Sequence, residues 1–507
     1  MAVPAQKEKP IESRSYNEST IELLEAERSQ ELVIALCGPI GTQIHQIAEL
    51  MNERLNEHYC YDSEVVKLSS FIAEKHPFKG REAEHFSKIE HFINSGNSMR
   101  NAYGAGVLAE LAVHYISIKR HSKMSERQVH PGPVRFCHII DSIKNVHELT
   151  LLRSVYSDVL VTVGAYDDKD RRVASLKRKG VSEEDVYRLI DRDSGEEYDN
   201  GQSVRKVFPQ CDYFINCSDD VEDIQAKVDR FLGLITGSSL VTPTNDERNM
   251  CHAYYAGLNS ACLSRQVGAS LADSNGDLIG IGWNDVPQFG GGLYSENSEQ
   301  DKRCFKIKDC VCHNDFEKNV IIDSIVEDLR SSMKTEDLDR LRDRLRRGRI
   351  GQLLEFSRSV HAEMYAILDS SAKGGGLRIK GGSIYVTTYP CHNCARHIVA
   401  AGIHNVYYLE PYSKSMAIRL HEDAITENVN NSNMVRVIPY EGIGPEMFAR
   451  FFKMPEGGRK KNGKMIPTRE KSAILRSSFS MRSYPQLESI VVESLKRKQL
   501  VGNGSKN

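Results

Sequence analysis

No run of apolar residues in this 507-residue chain approaches the roughly 20 needed to span a membrane as a helix. The opening MAVPAQKEKPIESRSYNEST has no apolar core region, so no secretory signal is read there. Charge of one sign is also missing. The formal net charge is −2, with 67 Lys and Arg against 69 Asp and Glu, and no global basic surplus announces a nucleic-acid binder. Aromatic residues make up 7% and tryptophan occurs once, which leaves little for a platform that stacks bases. The twelve cysteines are scattered along a chain with no leader, so reduced thiols and a cytoplasmic protein are expected. With 40% apolar and 27% charged residues, the chain reads as soluble, globular and large enough for about three domains.

Two short segments carry the chemistry. His361-Ala362-Glu363 is followed thirty residues on by Pro390-Cys391-His392-Asn393-Cys394. One imidazole and two thiolates are three ligands of the softness zinc prefers, and they leave a fourth position for water. Cys391 and Cys394 stand three apart, on one face of a helix. Pro390 suits the start of that helix, where the dipole favours thiolates. Glu363 is then a carboxylate beside the metal that can move protons. The alternative is a closed zinc knuckle completed by His392 or His397, with Glu363 an unrelated surface acid.

The order H-x-E then P-C-x-x-C resembles the zinc nucleobase deaminases. That resemblance implies one catalytic zinc on His361, Cys391 and Cys394, and Glu363 as the proton shuttle.

Upstream, the apolar run from Glu31 to Cys37 ends in Gly38-Pro39-Ile40-Gly41-Thr42, and a helical pattern follows. Strand, glycine turn and helix can cradle phosphate on backbone N–H groups. Gly38, Gly41 and Thr42 are therefore candidate phosphate-loop residues. The Walker pattern fails, because Gln43, Ile44 and His45 stand where Gly, Lys and Ser or Thr belong; the turn then binds nothing, or binds without hydrolysis. Further buried strands are expected at Val134–Asp141, Val159–Val163 and Cys211–Asn216, alternating with helices as in a parallel sheet. The order is similar to the P-loop nucleoside and nucleotide kinases. Arg171, Arg172, Arg192 and Arg205 could contact phosphate or form a solvated charged face.

Thr242-Pro243-Thr244-Asn245-Asp246-Glu247 is a breaker and helix-cap cluster that opens a second domain. A helix, then a hairpin turning at Ser274–Asp277, leads to Gly282-Trp283-Asn284. This is similar to the opening of deoxycytidylate deaminases, which casts Asn284 as a contact to the substrate's sugar; a turn-forming asparagine is the other reading. From about 293 to 360 the pattern is interrupted by an insertion holding Cys304, Cys310, Cys312 and His313. These could hold a second, structural zinc, as some relatives do, or stand as separate thiols. After the cysteine helix, Tyr412 could stack on a base or pack, and Lys414 could sense phosphate. From Pro455 onward twelve Lys and Arg face four Glu, a surplus of eight positive charges. Such a tail could bind a regulatory RNA, anchor to an acidic partner or stay solvated.

The expected domains are a mobile tail over 1–28, a P-loop-kinase-like parallel-sheet domain over 29–240, a cytidine-deaminase-like α/β/α sandwich over 244–453, and a basic tail over 454–507. This pairing resembles the bacterial anti-phage dCTP deaminases. The resemblance implies a zinc hydrolase acting on free deoxycytidine nucleotides (dCTP, dCMP or both), depletion of dCTP as antiviral defence, a regulatory first domain able to hold a nucleotide, and a homo-oligomer. A housekeeping dCMP deaminase and a deaminase of single-stranded polynucleotides are the competing readings.

Overall fold

The computed structural model describes residues 30–80, 85–126, 135–194, 203–217, 220–307, 310–412, 415–454, 458–466, 470–472, 475 and 484–502. The expected tail over 1–28 and Lys414 lie outside the described residues. The chain divides into two compact units. One takes Met1–Val207, Cys217–Leu240 and Met454–Asn507, and the other takes Phe208–Asn216 and Val241–Lys453. Among the described residues no helix is long and apolar enough to cross a membrane.

The first unit is built on parallel strands: β1 (Leu32–Cys37), β2 (Asp62–Lys67), β3 (Phe136–Asp141) and β4 (Leu160–Tyr166), in the order β4-β1-β3-β2. β1, β3 and β4 are buried along their whole length. That is why they read as continuous apolar runs, the pattern of parallel strands covered on both faces. β2, with the sequence DSEVVK, has only Val66 buried and carries no such signal. A helix over Ile44–Glu57 follows the glycine turn after β1.

The C-terminal stretch groups with this unit, and its helix Tyr484–Arg497 packs on the helix Val107–Glu126. The contact is partly ionic, and its charged centre is buried. The Arg120 guanidinium donates to both carboxylate oxygens of Glu31 at 2.7 Å and to Glu488, while the Tyr156 hydroxyl donates to Glu488 at 2.9 Å. Arg120, Glu31 and Glu488 are each at most 3% exposed. Two carboxylates around one guanidinium are tolerable in such a place only because every oxygen finds a donor.

In the second unit, Tyr213–Asn216 (β5) precedes a helix over Asn245–Gly257. Thr244 caps that helix by accepting from the Glu247 N–H, and the Glu247 carboxylate accepts from the Thr244 N–H, a reciprocal cap within the expected helix-cap cluster. A mixed sheet follows: β6 (Gly268–Ala272), β7 (Leu278–Trp283), β8 (Ser383–Thr388), β9 (Asn405–Glu410), β10 (Ile425–Thr426) and β11 (Val435–Pro439), in the order β10-β11-β9-β8-β6-β7. β6 runs antiparallel to both β7 and β8, and the remaining pairs are parallel. The short β12 (Gly442–Ile443) pairs antiparallel with β5.

Three glycines let helices lie against this sheet. A Cβ on Gly268 would overlap the backbone at Ala253 and Gly257, so the helix Asn245–Gly257 sits there. A Cβ on Gly280 would overlap Ser370, and one on Gly282 would overlap Ala362 and Ala366, so the helix Ala362–Ser370 sits on β7. Gly282 pairs with Ala269 and Gly280 with Leu271, one residue out of step with Gly268. Because side chains alternate across a strand, the two helices cover opposite faces. The unit is an α/β/α sandwich.

Two measurements check this architecture. Glu488→Ala leaves Arg120 half-paired in a buried site and should cost about 3–5 kcal/mol in urea unfolding; a stability unchanged within error would contradict the buried network. Gly282→Val forces the helix Ala362–Ser370 off the sheet and should cost at least about 1–3 kcal/mol by the same assay.

Candidate functional site

Both halves of the cluster stand at helix starts. His361 is the extended residue before the helix Ala362–Ser370, and Glu363 lies in that helix's first turn. Cys391 is the extended residue before the helix His392–Ala400, with Cys394 in its first turn. The helix on β7 and the loop leaving β8 thus bring two positive dipole ends to one point, which favours thiolates there. His361 Nδ1 lies 3.3 Å from Sγ of Cys391 and 3.3 Å from Sγ of Cys394. Among the described residues this is the one group of three or more His, Cys, Asp or Glu side chains whose donor atoms could hold a metal ion, all lying within 4.8 Å of one another.

The electrostatics show what the cluster is short of. The Cys391 thiol is brought down to about 4 by a hydrogen bond from Cys394 and, against the cost of burial, by His361 beside it. Burial works against a charged His361, yet the hydrogen bond and charge of Cys391 bring it up to about 9. Burial, with Cys391 already charged, holds Cys394 far above the ordinary thiol range. Burial, then the Cys391 charge, likewise raises Glu363, which is 4% exposed. A divalent ion would replace the imidazolium proton and allow the second thiolate. Borderline-soft N and S donors at this spacing suit zinc.

No fourth side chain closes the set among the described residues. His397 hydrogen-bonds through Nδ1 to the Asn393 carbonyl at 2.7 Å, and His392 Nε2 faces Glu355 at 3.8 Å. A cavity of about 520 Å³ opens beside the cluster, with His361, Glu363 and Cys391 on its wall.

Other expected residues fall into place unevenly. Asn284 lines the cavity, but its side chain accepts from the Val267 N–H at 2.7 Å and donates to the Arg265 carbonyl at 2.9 Å, so it also fixes the loop before β6. Tyr412 lines the cavity with the Arg265 guanidinium 5.8 Å above its ring. Cys304, Cys310, Cys312 and His313 do not converge on a common point as a metal group. Cys310 is exposed and donates to the Phe305 carbonyl, and Cys312 lies 3.4 Å from the Ser264 hydroxyl. Burial raises the Cys304 thiol, with Cys262 and Cys312 close enough to add to it.

The glycine turn of the first unit is already occupied by the chain itself. The Ile40 N–H donates to Asp193 at 2.6 Å, and Lys144 donates to Asp193 at 3.0 Å and to the Gly38 carbonyl at 2.7 Å. A carboxylate thus takes one N–H of the turn. Gly41, at φ +89°, lies against Arg172, and Arg192 is held by Glu90 and Asn94. Arg265, and Asn314, Asp315 and Lys318 of the inserted segment, also line the cavity. The sequence reading passed over them; Arg265 stands just before the β6 strand signal, whereas nothing in their spacing marks the other three.

The His/Cys/Cys group beside a buried carboxyl, together with the comparisons with known proteins, marks a zinc-dependent nucleotide deaminase. A model of the cytidine and deoxycytidylate deaminase zinc-binding region matches residues 243–410. The deoxycytidylate deaminase of Enterobacteria phage T4 is 30% identical over 170 residues, covering 32% of this chain and 76% of the relative. That of phage T2 is 31% identical over 165 residues, covering 32% and 78%. By this measure the chain belongs to the deoxycytidylate deaminase family, through its second unit. ComE operon protein 2 of Bacillus subtilis (strain 168) is 50% identical over 56 residues, or 11% of this chain and 29% of that relative, so the chain spans under a third of its length. The crystal structure of a dCMP deaminase from cyanophage S-TIM5 in complex with dCMP and dUMP aligns at 21% identity and a TM-score of 0.24, over 39% of this chain and 98% of that one.

His361→Ala and Cys391→Ser should each purify with less than about a tenth of the wild-type zinc content by atomic emission. Zinc retained in full by both would place the metal elsewhere.

Proposed function

We propose that this protein hydrolyses the 4-amino group of free deoxycytidine nucleotides, turning dCTP and dCMP into the deoxyuridine nucleotides with release of ammonia. The carrying observation is Glu363: a buried carboxyl beside the three-ligand cluster, on the wall of a cavity open to a small molecule. Bound zinc supplies a Lewis acid that lowers the pKa of a ligated water to about 7. His361, Cys391 and Cys394 would hold it. Glu363 takes a proton from the attacking water at a carboxylate oxygen. It passes that proton to the ring nitrogen next to carbon 4 as the water oxygen bonds to carbon 4, then moves the second proton, from the new hydroxyl, to the 4-amino group, which leaves as ammonia when its bond to carbon 4 breaks. Burial raises the proton affinity of Glu363, which suits a group that must both accept and release a proton. Tyr389 and Tyr412 line the cavity, rings on which a flat base can pack.

Use of dCTP, depletion of dCTP as an antiviral defence, and a regulatory first unit are supported by the pairing of the two sequence patterns in one chain. The self-filled glycine turn fits a regulatory rather than a catalytic first unit. A regulatory RNA rests on the charge surplus after residue 454, and a homo-oligomer rests on the family resemblance. Use of dCMP alone is favoured by the similarity to the phage deoxycytidylate deaminases.

The test is a panel of dCMP, dCTP, CMP, CTP and a cytosine-containing single-stranded oligonucleotide, run with wild type and Glu363→Gln at equal zinc content. Wild type should yield deoxyuridine products from the free deoxynucleotides, and the variant should be slower by about a thousandfold. Equal rates for the two proteins, or product from the oligonucleotide alone, would overturn the reading.

A further inference from the structure

We infer that Lys318, carried to the cavity by the inserted segment, binds the 5′-phosphate chain of the substrate and thereby makes the insertion the part of the enzyme that counts phosphates. This rests on the nucleotide reading above and adds a role for residues 293–360.

The insertion is a small folded layer. Its helices His313–Asp328 and Thr335–Arg347 close over Ile322, Val326 and Leu338. The first turns of the former helix place Asn314, Asp315 and Lys318 on the wall of the same cavity that His361, Glu363 and Cys391 line. Among the described residues Lys318 and Arg265 are the lysines and arginines of that wall. The two differ in how they are held. Arg265 is half-exposed, pairs with Glu410 at 3.2 Å and lies over Tyr412. The Lys318 side chain is 13% exposed, with its ammonium fixed by the Gly351 carbonyl at 3.2 Å and by Asp315 at 2.7 Å.

An ammonium has three N–H groups, so two such bonds leave one to give. The Asp315 carboxylate is 62% exposed and an exposed pair is worth little, so it does not keep the ammonium from an arriving anion. Asn314 adds a second, independent pointer. Its amide N–H donates to the Leu353 carbonyl at 2.9 Å, while its Oδ1 is buried with no hydrogen-bond partner and the residue is 8% exposed. That acceptor stays unmatched unless the side chain turns toward the cavity, where a ligand donor reaches it. With the base turned toward the metal cluster, the sugar and phosphates must use the rest of the wall, and the insertion provides it.

The experiment uses the full-length zinc-loaded protein, as wild type, Lys318→Met and Lys318→Arg. kcat/KM is measured on dCMP and dCTP, and the competitive inhibition constant is measured for uncharged deoxycytidine. Lys318→Met should lose about tenfold or more in kcat/KM on the nucleotides, more on dCTP than on dCMP, with the deoxycytidine constant unchanged and Lys318→Arg recovering part of the loss. A loss equal for nucleotides and deoxycytidine would mark Lys318 as a mere support of the fold and overturn the inference, as would no loss at all. Failure of the wild type on every free nucleotide would instead strike the functional reading on which the inference rests.

Discussion

Two thiols, an imidazole and a carboxyl cannot all lie within a few ångströms of one another, away from water, and all carry their working charges unless a cation joins them. Burying an unpaired charge costs several kcal/mol or more, and the group neutralises itself instead. Their surroundings pull the groups apart: the Cys394 hydrogen bond and His361 lower the Cys391 thiol, while burial raises Cys394 and Glu363. The arrangement makes sense as a receptor for a divalent ion. The remaining features of the second unit can be read as what is needed to bring those four groups to one place.

That need begins with backbone, not side chains. Gly280 and Gly282 clear the surface of β7 so that the helix bearing His361 and Glu363 lies close to the strand, and Gly268 does the same for the capped helix on the opposite face. β8 then ends at the loop where Cys391 starts the next helix. Each ligand is fixed by a helix start and each start by a strand, which is the rigid support a metal site needs. Asn284 holds the Arg265–Val267 loop against the same cavity, so a residue read as a substrate contact also works as a brace.

Much of this was legible in the chain because the decisive pairings are short. His361 and Glu363 are two apart, Cys391 and Cys394 three apart, and the Thr244–Glu247 cap spans three residues. The buried strands β1, β3 and β4 announced themselves as apolar runs because both of their faces are covered. Edge strand β2 did not, since DSEVVK spends its residues on solvent. What stayed hidden is long-range. Asp193 reaches back 153 positions to the Ile40 N–H, and Glu488 reaches 368 positions to Arg120. The first pairing turns a candidate phosphate loop into a self-filled one. The second puts a buried carboxylate in a stretch whose composition suggested only a basic tail. The insertion's Asn314 and Lys318 escaped for a like reason: no spacing tells that an interrupting segment folds onto the cavity wall.

The account stands or falls on an ion held by three protein atoms with its fourth side open. X-ray absorption at the zinc edge of the purified protein measures that directly. Two sulfurs near 2.3 Å and two nitrogen or oxygen ligands near 2.0–2.1 Å, one of them displaced by an added competing ligand, are the expected result. Three or four sulfurs, or a shell that no small ligand alters, would show a closed structural site and contradict it.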